Sequence, residues 1–211
     1  MGGDGNGTGA DTPVPTQEAI EAAAAAIERG DLVVYPTETV YGLGADALDP
    51  RAVQRVFDAK SRPRSRPISM AVPTVDAALE YVVADERERA FMRSFLPGPV
   101  TVLLERRPVV PDDLVGGRDR VGVRVPDHSV ALDLLETAAP ITATSANVSG
   151  EPSARTVAAL DDRIREAASA ILDGGETPGG GSTVVDVASG ELVRRGVLAE
   201  AVEDWLADPA E

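Results

Sequence analysis

The sequence contains no cysteine, so disulfides, thiolate metal sites and cysteine nucleophiles are excluded. Its single histidine, His128, rules out multi-histidine metal sites and makes a Ser-His-Asp triad unattractive. Aromatic residues make up only 3% of the chain, so the core must be built from Val, Leu, Ile and Ala. No run of about 18 apolar residues occurs, so no transmembrane helix is expected. Lysine is nearly missing too. Lys60 stands alone, and the other nineteen of the twenty basic residues are arginine.

Set against these absences are 35 acidic residues and a formal net charge of -15 over 211 residues. An acidic surface almost without lysine suits a salt-rich cytoplasm, where carboxylates hold hydrated cations; plain solubility through net charge is the alternative. Both readings argue against broad nonspecific affinity for nucleic acid. Residues 1–12 are glycine-rich and acidic, lack the basic and apolar regions of a signal peptide, and read as a disordered tail. A cytoplasmic location is expected.

What positive charge there is clusters. Lys60-Ser61-Arg62-Pro63-Arg64-Ser65-Arg66-Pro67 opens with four cations in seven residues and no acid. Lysine is a compact point charge and arginine a planar fork, so the mixture suits a polyphosphate. Two prolines stiffen the segment. A solvated basic loop is the plainer alternative, and the sign contrast with the rest of the chain weighs against it.

Patterning interleaves helices and strands. Thr16 caps a helix to Arg29 that stops at Gly30, and residues 32–35 read as a buried strand. A polar loop over 36–44 follows, then a helix from Asp49-Pro50 to about Ala59. Further strands are expected at 68–72, 100–104, 121–125, 141–144, 170–172, 183–187 and 192–194. Helices are expected at 74–81, 85–95, 128–137, largely over 155–167, and at 198–206. This pattern predicts one α/β domain: a twisted mixed sheet flanked by helices, with a ligand cleft at the strand ends.

Three polar segments accompany the basic run. Pro36-Thr37-Glu38-Thr39 places two hydroxyls and a carboxylate at a strand end, where turn chemistry alone is the common explanation. Thr144-Ser145-Ala146-Asn147-Val148-Ser149-Gly150 offers hydroxyls, an amide and backbone N–H groups to a phosphate or base. Gly179-Gly180-Gly181-Ser182-Thr183 lets backbone approach a ligand, but lacks the Lys-Ser/Thr of a P-loop and precedes a strand. A flexible lid is its competing reading. His128 begins a helix and is expected to act as a structural cap rather than a base.

Together with Pro97-Gly98-Pro99-Val100-Thr101 and Val123-Arg124-Val125-Pro126-Asp127-His128, these segments resemble the successive signatures of YrdC/TsaC-like L-threonylcarbamoyladenylate synthases. The resemblance runs from about Ala19 to Arg195. It implies a YrdC-like catalytic domain over 13–207. It further implies that Lys60 and Arg62 hold ATP phosphates and neutralise charge in the reaction, with Arg66, Ser145, Asn147, Ser153 and Arg194 also at the nucleotide. Thr37 and Arg124, and more weakly Ser182, are placed near L-threonine. Three positions depart from the pattern. Ala71 stands where many relatives carry histidine, no glutamate precedes Ser182, and Arg194-Arg195-Gly196 replaces Arg-Pro-Gly.

The implied reaction joins L-threonine, bicarbonate and ATP, with Mg²⁺, to give threonylcarbamoyl-AMP and pyrophosphate. The product is destined for a tRNA threonylcarbamoyl-transfer complex, with RNA contact possible at the basic cleft. No protein metal site and no membrane partner are expected. Two alternatives stand beside it. A double-stranded RNA-binding module without catalysis is disfavoured by overall acidity and scarce aromatics. A carbamoyl-transferring relative normally carries cysteine-rich zinc modules, and this chain has no cysteine.

Overall fold

The computed structural model describes residues 14–207, and the tail expected at 1–12 lies outside the described residues. Thr16 accepts a hydrogen bond from Ala19 N and so opens α1 (Gln17–Glu28), which ends through Arg29 into Gly30 at φ +81°. β1 (Leu32–Tyr35) is buried at every residue, and β2 (Gly42–Gly44) runs back antiparallel to it. α2 (Pro50–Ala59) starts from an Asp49 cap with proline in its first turn and leads into the basic run. β3 (Ser69–Ala71), α3 (Val75–Ala78), β4 (Val82–Val83), α4 (Glu86–Phe95) and β5 (Val100–Arg106) follow. Next come α5 (Asp112–Val115), β6 (Arg120–Arg124), α6 (Ser129–Ala138) and β7 (Ile141–Ser145). After α7 (Asp162–Ala167) come β8 (Ala168–Ile171), β9 (Thr183–Asp186), β10 (Glu191–Arg194) and α8 (Ala199–Ala207).

The ten described strands form one sheet in the order β10-β9-β5-β6-β3-β7-β2-β1-β8, with β4 added beside β5. It is mixed, because β1–β8, β3–β6 and β5–β9 are parallel and the other pairs antiparallel. Successive strand residues point to opposite faces, and the two faces are covered differently. On one face, Val53, Val56 and Phe57 of α2 and Phe91 and Met92 of α4 share a core with Met70, Val102, Val123 and Val185. On the other, α1 and α6 pack with Val33, Tyr35, Ala71 and Ile141. Alanines at 23, 24, 26 and 131 give that helix pair a low profile. Among the described residues no helix is long and apolar enough to cross a membrane.

The strand β4 and the helix α5 were not expected, the helix expected at 74–81 is confined to Val75–Ala78, and two further stretches differ in kind. Gly42-Leu43-Gly44 reads as loop but is a strand, because β1 and β7 supply its ladder bonds on both sides. Residues 155–167 are not one helix. Leu160 is extended at ψ 134° after a short 3₁₀ turn, Val157–Ala159, and Asp161 restarts the chain by capping Arg163 N.

Candidate active site

A cavity of about 870 Å³ opens on the same face as α1 and α6, beside them; Tyr35, Ala71 and Ala143 belong to both. Its floor is the sheet, through alternate residues such as Ser69 and Ala71 of β3 and Arg120, Gly122 and Arg124 of β6. Its rim is made of strand-end loops, including Thr37 to Tyr41, Arg62 to Ile68 and Gly180 to Ser182. A side chain at Gly122 would obstruct the floor, since its Cβ would sit 2.4 Å from Ser69 Oγ and 3.0 Å from Thr101 Cγ2.

Six arginines line this cavity, at 62, 66, 118, 120, 124 and 194, against one acid, Asp119. They differ in how they are held. Arg120 is neutralised from behind by Glu88 at 3.2 Å and Asp186 at 2.5 Å, and also borders a second cavity of about 890 Å³. Arg124 pairs with Glu38 at 2.7 Å and donates to Thr39 Oγ1 at 2.9 Å. Arg62 is held only by neutral carbonyls, of Arg66 at 3.0 Å and Pro67 at 2.9 Å. Arg194 is held by the carbonyl and hydroxyl of Ser182, each at 2.8 Å. Burial lowers the pKa of Arg62, and the nearby charges of Arg66 and Arg194 lower it further. Arg194 is lowered by burial and then by Arg124. Arg66, Arg62, Arg194 and Arg124 thus feel one another in turn, and Arg62, Arg66, Arg118 and Arg194 keep charge that no acid among the described residues cancels within 4.0 Å.

The residues expected from sequence divide into two groups. Thr37, Arg62, Arg66, Arg124, Ser145, Ser153, Ser182 and Arg194 line the cavity; Lys60 and Asn147 do not. Lys60 is only 1% exposed. Its ammonium donates to the carbonyls of Ser145 and of Asn147, the latter at 2.7 Å, while its own carbonyl accepts from Ser149 N at 2.8 Å. A buried ammonium must find acceptors, and here the backbone of the 145–149 loop supplies them. Burial, aided by the Arg62 charge, pulls its pKa down to about 8. Asn147 is used in the same way: its amide donates to Val148 O and Glu151 O, both at 2.8 Å, and accepts from the Ser145 hydroxyl.

Arg194 and Ser182, expected on opposite substrate sides, touch each other. Thr37 Oγ1 donates to Val40 O at 2.7 Å and lies 2.9 Å from Thr39 Oγ1, which fixes the rim loop beside Arg124. The Tyr41 hydroxyl ties that loop to the glycine-rich segment, donating to Gly175 O at 2.7 Å and accepting from Gly174 N. Burial pushes both Tyr35 and Tyr41 up to about 12. His128 occupies the N-cap position of α6, but its side chain makes no capping bond and Nδ1 is buried without a partner, so the expected side-chain cap is corrected. Its ring lies near Gly174 instead, and burial lowers its pKa against the opposing charges of Glu38 and Asp127. Arg118 and Arg120 were not anticipated. For Arg120 the i, i+2 spacing of Arg120, Gly122 and Arg124 was the signal, since alternate strand residues share a face; Arg118 precedes the strand and has no such signal.

A family model, Sua5_yciO_yrdC, described as telomere recombination, matches residues 25–196. The chain is 44% identical over 172 residues to a threonylcarbamoyl-AMP synthase of Pyrococcus abyssi, covering 80% of this chain and 50% of that protein. A threonylcarbamoyl-AMP synthase of Xanthomonas axonopodis pv. citri is 34% identical over 180 residues, covering 83% of this chain and 96% of that one. Among solved structures, P. abyssi Sua5 complexed with L-threonine superposes with a TM-score of 0.81 at 40% identity, over 91% of this chain and 58% of that one. The chain therefore spans about half the length of the Pyrococcus protein and nearly all of the Xanthomonas one.

Proposed function

The chain belongs to the Sua5/yciO/yrdC family, and from that premise we propose that it is an L-threonylcarbamoyladenylate synthase, making threonylcarbamoyl-AMP, pyrophosphate and water from L-threonine, bicarbonate and ATP. The observation that carries this is the cavity itself: six arginines and one acid around one space, in a chain of net charge -15. Such a field favours a highly charged anion such as ATP.

The cavity divides by how its arginines are held. Arg62, Arg66 and Arg194, uncancelled by acids, take the triphosphate with the Ser145 and Ser153 hydroxyls. Arg124, already balanced by Glu38, takes the single carboxylate of L-threonine, beside Thr37. Ser182 and Arg194 touch, and on this reading they serve the junction between the amino acid and the α-phosphate. Lys60 and Asn147 act from behind the wall by fixing the loop that presents Ser145.

Threonine's amine bonds to the bicarbonate carbon with loss of water, giving a carbamate. A carbamate oxygen then bonds to the α-phosphorus as the bond to the bridging oxygen breaks, and that electron pair leaves with pyrophosphate. No enzyme nucleophile is needed, so the protein contributes positioning and charge stabilisation. Among the described residues no group of three His, Cys, Asp or Glu could hold a metal. On this reading Mg²⁺ is carried in by ATP, and Asp119 is the one carboxylate lining the cavity that could meet it. When bound, Mg²⁺ draws charge from the phosphate oxygens. The product passes to a tRNA threonylcarbamoyl-transfer complex, in a cytoplasm whose salt the acidic surface matches.

The test is incubation with ATP, Mg²⁺, radiolabelled bicarbonate and L-threonine. A labelled adenylate that requires threonine is expected. Label appearing instead from carbamoyl phosphate, or no adenylate at all, would overturn the proposal.

A further inference from the structure

Arg66 and Arg118 share a property that the other cavity arginines lack. Among the described residues, neither side chain makes a hydrogen bond or ion pair, although acids outnumber bases 35 to 20 in the chain. Each is nevertheless anchored through its backbone by another arginine: Arg62 Nε donates to Arg66 O at 3.0 Å, and Arg106 Nε donates to Arg118 O at 2.9 Å. The two loops are also in contact. Ile68 N donates to Leu114 O at 2.9 Å, and a Cβ on Gly116 would lie 3.0 Å from Arg64 O. Gly116 and Gly117 both sit in the left-handed region, at φ +60° and +74°, so the turn before Arg118 needs glycine twice. The outcome is two free forks, fixed at their bases, on adjoining loops of one cavity wall.

We propose that Arg66 and Arg118 form a clamp for the pyrophosphate end of ATP and for pyrophosphate itself before it leaves. This rests on the nucleotide reading above and adds Arg118 to it. A lone carboxylate satisfies one fork; two forks carry about ten N–H donors between them and match an anion with several charged oxygens on neighbouring phosphorus atoms. Asp119, the one acid lining the cavity, follows Arg118 directly and makes no ion pair among the described residues.

Titration calorimetry with inorganic pyrophosphate, ATP and AMP tests the clamp in the wild type, Arg66→Ala, Arg118→Ala and Arg118→Lys. Each alanine variant is expected to weaken pyrophosphate about tenfold and ATP similarly, with AMP unchanged. Arg118→Lys, which keeps the charge but not the fork, is expected to fall between. The inhibition constant of pyrophosphate as product should rise in step with its dissociation constant. Unchanged pyrophosphate affinity in both alanine variants, or an equal loss of AMP, overturns the clamp while leaving the synthase reading intact. A wild-type protein that takes up neither ATP nor pyrophosphate overturns both.

Discussion

Lys60 gives up its hydration on folding and recovers only carbonyl partners, which is why its pKa falls from 10.5 to about 8. Between those values the unfolded chain holds a proton that the folded chain has released, so this group makes stability rise with pH across about pH 8 to 10.5. No cysteine and no other lysine titrates there. Tyr35 and Tyr41 act in the opposite sense: folded at about 12 and unfolded at 10.0, they make stability fall above pH 10. Denaturant unfolding from pH 7 to 11 should therefore show a rise and then a fall, and Lys60→Met should remove the rise alone. Lys60→Ala should also cost about ten- to a hundredfold in activity by loosening the Ser145 loop. Arg64→Ala, which loses an exposed pair with Asp58 at 3.1 Å, should cost little in the same steady-state assay. Arg124→Ala should raise the threonine KM and leave ATP titrations nearly unchanged. Most of these residues were legible in the sequence because they sit in motifs. What the motifs do not encode is which way a side chain turns: Lys60 and Asn147 read as ligand contacts, and both donate to backbone carbonyls while Asn147 also accepts from the Ser145 hydroxyl.

Strands and helices with strong caps or apolar runs were the most legible elements; α1, β1, α2 and α4 lie within a residue or two of expectation. Their signals are local, such as the Asp85–Glu88 capping box of α4. β2 was illegible because two glycines carry no side-chain pattern, and its existence depends on neighbours distant in sequence. The floor strand β6 offers the sharpest test at this scale. Gly122→Ala should destabilise by about 1–3 kcal/mol and weaken ATP binding, because the new methyl meets Ser69 and Thr101. Adding Ser69→Ala should restore part of both losses in melting and ATP titration. A double variant no better than Gly122→Ala would remove the collision as the cause. On the opposite face, Phe91 stacks on Phe95 at 4.6 Å and meets Trp205 edge-on at 4.9 Å, joining α4 to α8. Phe91→Ala should cost about 3–5 kcal/mol, and the fluorescence of Trp205, the sole tryptophan, should report it.

The whole chain combines two electrostatic features: an acidic exterior that repels itself and a cationic cavity for which we propose an anionic ligand. Salt acts on both, because the screening length falls from about 30 Å at 0.01 M to about 3 Å at 1 M. The melting temperature should rise between about 0.1 and about 2 M KCl with only a modest decline in ATP affinity, since buried contacts are screened less than exposed charges. A flat or falling melting curve would remove the adaptation to salt and leave the chemistry untouched. The composition behind this balance also changes how the molecule meets a protease. A lysine-specific endoproteinase has one place to cut in 211 residues, after Lys60, and that side chain is 1% exposed beneath two carbonyls. The bond becomes available only when the 145–149 loop lets go, so the rate of a single scission into 1–60 and 61–211 counts openings of the native fold. With ATP bound as we propose, at the face of that same loop, the scission should slow.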